Sequence, residues 1–223
     1  MSTFAEENYL KAIFKLSEGE NKSVSTGALA YELKINAASV TDKLKRLAGK
    51  KLIQYEKSRG VTLTDKGKKV AISIIRKHRI WEVFLVKKLG FKWDEVHDIA
   101  EQLEHVNSEV LVDRLDSLLG YPKVDPHGDP IPDKNGRFEN NPSYFLSEIK
   151  AGSKGKFAGV TEHSPGFLKY LDKLGISIGD TIHVKEVEDF DKSLQVVIKG
   201  NKKIVITHKA AGNILVSLKI YSP

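Results

Sequence analysis

The stretch NAASVTDKLKRLAGKKLIQYEKSRGVTL, residues 36–63, decides how the first part of this chain folds. Asn36 is a good helix N-cap. The apolar residues that follow it are spaced by four and three, which predicts a helix with one buried face: Val40, Leu44 and Leu47. Beyond this helix, residues 53–55 and 61–63 alternate apolar with polar side chains on either side of a turn at 58–60. That alternation predicts a β-hairpin.

Two further helices are predicted before this stretch. Residues 5–16 place an apolar stripe on one helical face, made of Tyr9, Leu10, Ile13, Phe14 and Leu16. A second, short helix begins near Ser25 or Thr26, both of which are good N-caps, and turns Leu29, Ala30 and Leu33 inward. The order helix, helix, helix, hairpin is that of a winged helix-turn-helix.

The side chains of the third helix suit double-stranded DNA. Small residues near its start, most of them polar, could approach base edges in a major groove: Asn36, Ala38, Ser39, Thr41 and Asp42. Basic residues farther along and at the hairpin tip are suited to phosphate contacts: Lys43, Arg46, Lys50, Lys51 and Arg59. The alternative is a three-helix core with a solvated basic face. The basic tip of the hairpin favours DNA over that alternative.

Charge and proline content divide the 223 residues into three regions. The whole chain carries a net charge of +7, which resolves into +6 for residues 1–72, −3 for 73–140 and +4 for 141–223. Five of the seven prolines lie in residues 122–142, which predicts a linker. We therefore expect three domains with these boundaries, because an anion-binding surface and a cation-binding cluster cannot share one patch.

Composition excludes several classes of protein and site. The chain has no cysteine, which rules out a disulfide framework, a thiolate zinc site, an iron–sulfur cluster and a cysteine nucleophile. No apolar run approaches the roughly 18 residues that a membrane-spanning helix needs. The N-terminus is acidic and helical rather than a signal peptide. The sequence therefore predicts a cytoplasmic protein with no membrane partner.

The acidic middle region predicts a metal site. A long helix over residues 65–89 places His78 and Glu82 four apart, and a second helix is expected to begin near Trp93 with Asp94 as N-cap. That second helix offers His97, Glu101, Glu104 and His105 from one side. Carboxylates and imidazoles without sulfur suit Mn²⁺ or Fe²⁺, and Co²⁺, Ni²⁺ and Zn²⁺ should also bind in vitro. Alone, His78 is more typical of a partly buried helix residue, and Glu82 is more typical of a solvated face or a partner for Arg76 or Arg79. The conjunction of two helices that both carry spaced hard ligands favours a metal.

The last third predicts a small β module. The strand-like GKFAGV leads to a short helix in HSPGFLKYLDKLGI, and four alternating segments follow: IGDTIHVKEV, SLQVVIKG, KKIVITH and ILVSLKI. A small barrel is the natural arrangement, because closing a sheet removes its edges. Its basic residues are spread over turns and are not assigned to DNA. Three histidines without ligand-type neighbours are interpreted as structural: His127, His183 and His208.

Several motifs together resemble the diphtheria-toxin-repressor family of metal-dependent bacterial repressors, in its manganese-regulator branch. They are EENYLKAIFKL, ASVTDKLKRL, GVTLTDKGKKVA, RKHRIWEVFL, VHDIAEQLEHVNSEVLVDRLDSLLGYP and DPHGDPIP. The resemblance covers residues 4–142 and, more loosely, 148–221. It implies a multidomain α+β fold with a winged helix-turn-helix, a helical dimerisation domain that carries the metal sites, and a small SH3-like (FeoA-like) β-barrel.

The resemblance also implies two ligand sets. A primary set falls on Asn8, Glu101, Glu104 and His105, and an ancillary set falls on His78, Glu82, His97 and Glu162. In two-metal manganese members the equivalent of His78 also joins a carboxylate-bridged pair. Glu101 stands where iron-responsive members have cysteine, which favours the harder Mn²⁺ over Fe²⁺. Asn8 replaces the usual Asp or Met, and Lys11 stands where two-metal members have Glu, which argues against a closely spaced metal pair.

The preferred hypothesis is a homodimeric, metal-activated repressor that binds a palindromic operator near metal-uptake genes, with Mn²⁺ preferred over Fe²⁺. It predicts no enzymatic activity and no small organic substrate. Dimerisation is expected from the helix at 97–105 and a leucine-bearing helix, Leu111, Leu115, Leu118 and Leu119. The alternatives are an iron-dependent repressor of the same family, a helical Glu/His metalloenzyme, and a regulator that binds DNA without metal.

Overall fold

The structure is a computed structural model that describes residues 3–20, 22–139 and 142–218. The chain divides into two compact units. Unit 1 comprises Met1–Trp81, Ala100–Arg114 and Pro132–Phe138, and unit 2 comprises Glu82–Ile99, Leu115–Ile131 and Glu139–Pro223. The predicted boundary between residues 140 and 141 lies outside the described residues.

Unit 1 begins with the predicted helices and hairpin. They are α1 (Phe4–Leu16), α2 (Thr26–Glu32), α3 (Ala37–Gly49), β1 (Ile53–Glu56) and β2 (Gly60–Leu63). Side-chain caps start the first three helices: Thr3 forms a capping box with Glu6, Ser25 accepts from the Ala28 N–H, and Asn36 accepts from the Ser39 N–H. Strands β1 and β2 pair in antiparallel register, so the winged helix-turn-helix expected from the sequence is confirmed.

The core of this winged helix joins the three helices to the hairpin. Its fully buried side chains include Leu10, Ile13, Leu29, Val40, Leu44, Leu47 and Val61. The hairpin gains a further partner at Val24, whose N–H and C=O both bond with Val61 at 2.9 Å. Leu16, predicted on the buried stripe, is 37% exposed, because it is the last residue of α1.

Three more helices follow: α4 (Asp65–Leu89), α5 (His97–Leu103) and α6 (Glu109–Leu118). The expected start of α5 near Trp93 with Asp94 as N-cap is wrong. Residues 93–96 form a turn and bend, and the Asp94 carboxylate is instead buried, 3.5 Å from the Lys169 ammonium. Helix α5 also ends before Glu104, whose backbone N–H still donates to the Ala100 carbonyl at 2.8 Å.

Unit 2 contains an antiparallel sheet with the strand order β3-β8-β4-β5-β6-β7 among the described residues. The strands are β3 (Tyr144–Phe145), β4 (Lys154–Val160), β5 (Thr181–Val187), β6 (Leu194–Ile198), β7 (Lys202–Ile206) and β8 (Ile214–Leu218). Register shifts at 157–159 and 184–186 mark bulges that bend β4 and β5. Residues 219 and 220 of the last predicted strand lie outside the described residues.

Two helices complete unit 2, α7 (Pro165–Leu174) and α8 (His208–Ala211). Helix α7 is capped by Ser164 at its start and by Gly175, in the left-handed conformation, at its end. Its Leu168 and Leu171 pack into the sheet core around the fully buried Phe157. The predicted small β module and its helix α7 are therefore present, and α8 is a second, short helix that the sequence analysis does not predict.

Replacing Gly67 with alanine is expected to destabilise unit 1. Gly67 lies in the first turn of α4, and a Cβ there would sit 1.9 Å from the Leu52 carbonyl oxygen, so backbone must shift. We expect a loss of about 1–3 kcal/mol in the free energy of unfolding, measured by denaturant titration. Gly49→Ala is the matched control, because a Cβ on this helical glycine meets nothing within 4 Å. Equal stability of the two variants would contradict the close approach.

Candidate metal centre and DNA-binding surface

The residues predicted to contact DNA lie on α3, at its N-cap and at the tip of the hairpin. Asn36, Ala38, Ser39, Asp42, Arg46 and Arg59 are exposed, and Thr41 and Lys43 are half-buried. The Arg59 side chain lies 3.4 Å from Glu56, on the largely exposed hairpin tip. Lys50, which the sequence also suggested for phosphate, is instead bonded to the Glu6 carboxylate at 2.8 Å. Arg46 on α3 and Arg59 at the hairpin tip are therefore exposed basic side chains available for phosphate contacts.

A buried ionic cluster lies between α1 and the segment around α5. The Lys11 ammonium donates to Glu101 Oε1 at 2.6 Å and to Glu104 Oε1 at 2.5 Å. Lys11 is 5% exposed and Glu104 is fully buried. A lysine and two carboxylates thus converge where the sequence predicted a divalent cation.

Two histidines extend this cluster. His78 of α4 places Nδ1 2.6 Å from Glu104 Oε2, so both oxygens of that carboxylate are engaged. His105 places Nδ1 2.6 Å from Glu7 Oε2, which ties α1 to the chain just after α5. The aromatic ring of Phe4 stacks on His105 with ring centroids 4.6 Å apart. The cluster therefore contains hard oxygen and imidazole donors from α1, α4 and residues 101–105.

Asn8, the predicted ligand on α1, has a side-chain oxygen that a cation could bind. Its side-chain oxygen Oδ1 is buried, and no described residue donates a hydrogen bond to it. A buried carbonyl oxygen without a donor is costly, and a divalent cation is a partner that such an oxygen can take. The donors present, Asn8, Glu101, Glu104 and His105, fit a hard divalent cation such as Mn²⁺.

A second group of ligand-type residues lies within unit 2. Glu82, Asp125 and His127 each offer a ligand atom within 4.8 Å of the others, and all three are buried. His97 joins them, with Nδ1 3.5 Å from Glu82 Oε1. From the sequence, His127 is interpreted as a structural residue and Asp125 is not a predicted ligand. The signal was the short spacing of Asp125 and His127 in DPHGD, where the Asp125 carboxylate accepts from the His127 N–H at 2.8 Å.

The residues of the ancillary set expected from the family resemblance are drawn from both units. His78 belongs to unit 1, whereas Glu82, His97 and Glu162 belong to unit 2. Glu162 is exposed and accepts a hydrogen bond from the Ser164 N–H at 2.8 Å. That backbone bond lowers the pKa of the Glu162 carboxyl group. Its role as a ligand stays a prediction.

His127 is held in its charged form. Burial lowers the pKa of His127, but the hydrogen bond and negative charge of Glu82, the charge of Asp125 and the Trp93 carbonyl together raise it to about 9. Nε2 lies 2.9 Å from the Trp93 carbonyl oxygen, which can only accept, so this nitrogen carries a proton. Nδ1 lies 3.4 Å from Glu82 Oε2. Any metal bound at His127 must therefore take Nδ1 and displace its proton.

The pKa of His163, whose ring lies against that of His127, is shifted in the opposite direction. His163 stacks on the His127 ring with centroids 4.8 Å apart. Burial lowers the pKa of His163, so this ring is neutral where His127 is charged.

None of the helices in the described part of the chain is both long enough and apolar enough to cross a membrane.

Three domain families match consecutive parts of the chain. Residues 1–61 match the family described as "Iron dependent repressor, N-terminal DNA binding domain". Residues 64–133 match "Iron dependent repressor, metal binding and dimerisation domain", and residues 145–218 match the "FeoA domain".

Two curated relatives are similar to the chain over most or about half of its length. The chain is 30% identical over 218 residues to "Iron-dependent repressor IdeR" of Mycobacterium tuberculosis, covering 92% of this chain and 93% of that relative. It is 33% identical over 125 residues to "HTH-type transcriptional regulator MntR" of Oceanobacillus iheyensis, covering 56% of this chain and 84% of that relative.

Solved structures are similar over almost the whole chain. A "Manganese-dependent transcriptional repressor complex with manganese" is 35% identical with a TM-score of 0.85, covering 96% of this chain and 99% of the other. The "Crystal Structure of ScaR with bound Zn2+" is 34% identical with a TM-score of 0.74, covering 96% and 99%.

Proposed function

The chain belongs to the iron-dependent repressor family, whose members are DNA-binding regulators rather than enzymes, and we propose that Mn²⁺ is the metal that activates it. The predicted family resemblance is confirmed, and the chain is a metal-dependent DNA-binding repressor. The observation that carries the choice of metal is the donor set of unit 1. Glu101 and Glu104 supply carboxylate oxygens, Asn8 supplies an amide oxygen, and His105 supplies nitrogen, with no sulfur. Hard oxygen donors favour Mn²⁺, whereas sulfur donors favour softer metal ions.

The proposed site couples metal to DNA binding through α1. Asn8 lies on α1, a helix that packs in the core of the winged helix, whereas Glu101, Glu104 and His105 lie on the segment from Ala100 onward. A cation held by both segments fixes the position of α1 and therefore of the recognition helix α3. If the DNA-competent arrangement holds the cation more tightly, metal shifts the population toward it, and DNA tightens metal binding by the same factor.

The partners are operator DNA and a second copy of the chain. A two-fold dimer presents two recognition helices, so we infer a palindromic operator. Helix α6 offers exposed apolar residues for the dimer, Val110, Leu111 and Leu118, whereas Leu115 is buried in its own chain. Binding to operator DNA supports the proposal that the protein acts in the cytoplasm.

A second cation is proposed at Glu82, Asp125 and His127, with His97 beside Glu82. Two carboxylates and imidazole nitrogens are ligands that Mn²⁺, Fe²⁺ and Zn²⁺ share. Because Nδ1 of His127 carries a proton at neutral pH, occupancy of this group should release protons and should strengthen as pH rises. At the proposed unit 1 site, His78 is the hydrogen-bond partner of the Glu104 carboxylate.

The test of the proposed function is a mobility-shift titration on operator DNA with Mn²⁺, with Fe²⁺ under anaerobic conditions, and after chelation. We expect tight binding with Mn²⁺ at lower concentration than with Fe²⁺, and loss of the shift with chelator. Equal binding after chelation would exclude metal activation, and activation at lower Fe²⁺ than Mn²⁺ would assign the chain to iron.

Arg46→Ala is expected to weaken operator binding uniformly across sequences. The exposed Arg46 guanidinium lies on α3 and is assigned to phosphate, so its loss should reduce the slope of log K against log salt by about 1. The measurement is fluorescence anisotropy of labelled operator at several salt concentrations. Lys173→Ala in α7 is the control, because it removes one exposed charge from unit 2. An unchanged slope for Arg46→Ala would remove this residue from the DNA contacts.

A further inference from the structure

We propose that Lys11 is a tethered competitor for the metal at Glu101 and Glu104, and that its ammonium group sets the metal concentration at which the repressor responds. The proposal rests on the proposed function, because it needs a metal at these carboxylates. It concerns a residue that is not itself a ligand. Lys11 would act by occupying the ligands when metal is scarce.

The contacts of Lys11 are those of a cation in a built site. Its Nζ lies 2.6 Å from Glu101 Oε1 and 2.5 Å from Glu104 Oε1, and the side chain is almost fully buried. Charge-assisted hydrogen bonds of this kind are about twice as strong as neutral ones. The ammonium therefore occupies the space between the two carboxylates that a divalent cation would need.

Glu104 shows why metal and ammonium compete. Its carboxylate is fully buried, with Oε1 bonded to Lys11 and Oε2 bonded to His78. A cation that binds through Oε1 must take the place of the Lys11 ammonium. Charge also makes the two cations compete. The Lys11 ammonium neutralises the charge of one of the two carboxylates and repels a metal cation at close range.

The competition lowers the apparent affinity without changing the ligands. When the binding-competent form is only a fraction of the population, the apparent dissociation constant is the intrinsic one divided by that fraction. If the Lys11 ammonium leaves the site open in about 1–10% of the molecules, metal binding is weakened by about 10- to 100-fold. Lys11 would thereby move the response to a higher metal concentration.

The ion pairs of Lys11 also connect the same two segments that the proposed metal connects. Lys11 lies on α1, and its two carboxylate partners lie at residues 101 and 104. An ion pair that served only to hold the fold would orient the carboxylates for metal. Its removal would then leave metal affinity unchanged or weaker, which is the opposite of the result expected from competition.

The first experiment is calorimetric titration of Mn²⁺ into metal-free Lys11→Met. This variant keeps the length of the aliphatic side chain and removes the charge. All proteins carry Asp125→Asn, which removes a carboxylate from the second group while an amide oxygen can still accept from the His127 and Asp129 N–H groups. We expect the dissociation constant at the unit 1 site to fall about 10- to 100-fold.

Two matched variants accompany it. Lys15→Met removes an exposed lysine one turn farther along α1 and should leave the dissociation constant unchanged. Lys11→Arg keeps the positive charge and should keep the weak binding of the unmodified chain. Unchanged or weaker Mn²⁺ binding in Lys11→Met would overturn the competition.

The second experiment uses the unaltered protein and does not depend on any variant folding. Amine labelling with acetic anhydride, read by mass spectrometry, should find Lys11 protected without metal and several-fold more reactive with saturating Mn²⁺. Protection that persists with Mn²⁺ bound would overturn the displacement of Lys11. Failure of the unaltered protein to bind Mn²⁺ at all would instead overturn the proposed function, so the two failures are distinguishable.

Discussion

Glu104→Gln should abolish the response of operator binding to Mn²⁺. Glu104 is fully buried and bridges Lys11 of α1 and His78 of α4. Glutamine keeps the size and shape of the side chain and removes its negative charge. The metal-dependent part of DNA binding should therefore disappear while the fold is retained.

The expected size follows from the role of a buried ligand. Changes to residues that merely support a ligand cost about 10- to 100-fold in metal affinity, so loss of a ligand carboxylate should cost at least about 100-fold. By linkage, the factor by which Mn²⁺ tightens operator binding equals the factor by which operator DNA tightens Mn²⁺ binding. Calorimetry with Mn²⁺ and mobility shift at fixed Mn²⁺ measure the two sides of this coupling.

Glu109→Gln is the control for Glu104→Gln. It is the same chemical change at an exposed position five residues along the chain, outside the proposed ligand set. It should leave both the Mn²⁺ affinity and the operator response unchanged. A Glu104→Gln protein that still shifts operator DNA at the same Mn²⁺ concentration would remove Glu104 from the site.

Local patterns were enough to predict the winged helix. The caps at Ser25 and Asn36 and the spacing of Val40, Leu44 and Leu47 depend on neighbours within one or two helical turns, and the structure places them as expected. The start of α5 depended on a distant residue instead. Asp94 is a good N-cap by sequence, but its carboxylate is buried near Lys169, which no local pattern could indicate.

The same limit applies to the candidate sites. Spacing alone showed that residues 101–105 carry hard ligands, but not that Lys11, some 90 residues away in sequence, lies between the carboxylates. It also could not show that Glu82 has His127 as its partner. Ligands on one helix can be predicted from periodicity, whereas an ion pair between segments depends on how the chain packs.

His127→Gln should destabilise the metal-free protein by about 3–5 kcal/mol, because removing one partner of a buried ion pair leaves the other charge buried. His127 is 1% exposed and Glu82 is 2% exposed, and Nδ1 of His127 faces the Glu82 carboxylate. The free energy of unfolding in chelator, from denaturant titration, measures the loss. His208→Gln, an exposed change in the same unit, should stay within about 0.5 kcal/mol of the unaltered chain.

The double variant and the pH profile separate charge from packing. Glu82→Gln in the His127→Gln background should recover much of the lost stability, because the buried charge is then gone from both partners. In the folded protein the pKa of His127 is raised from 6.5 to about 9, so its contribution is complete below pH 6.5 and is lost as pH rises through 9. The unaltered chain in chelator should therefore lose stability between pH 7 and 9, and His127→Gln should lack that part of the decline. Parallel pH profiles for the two proteins would show that His127 is neutral in the folded chain and that Glu82 has another source of compensation.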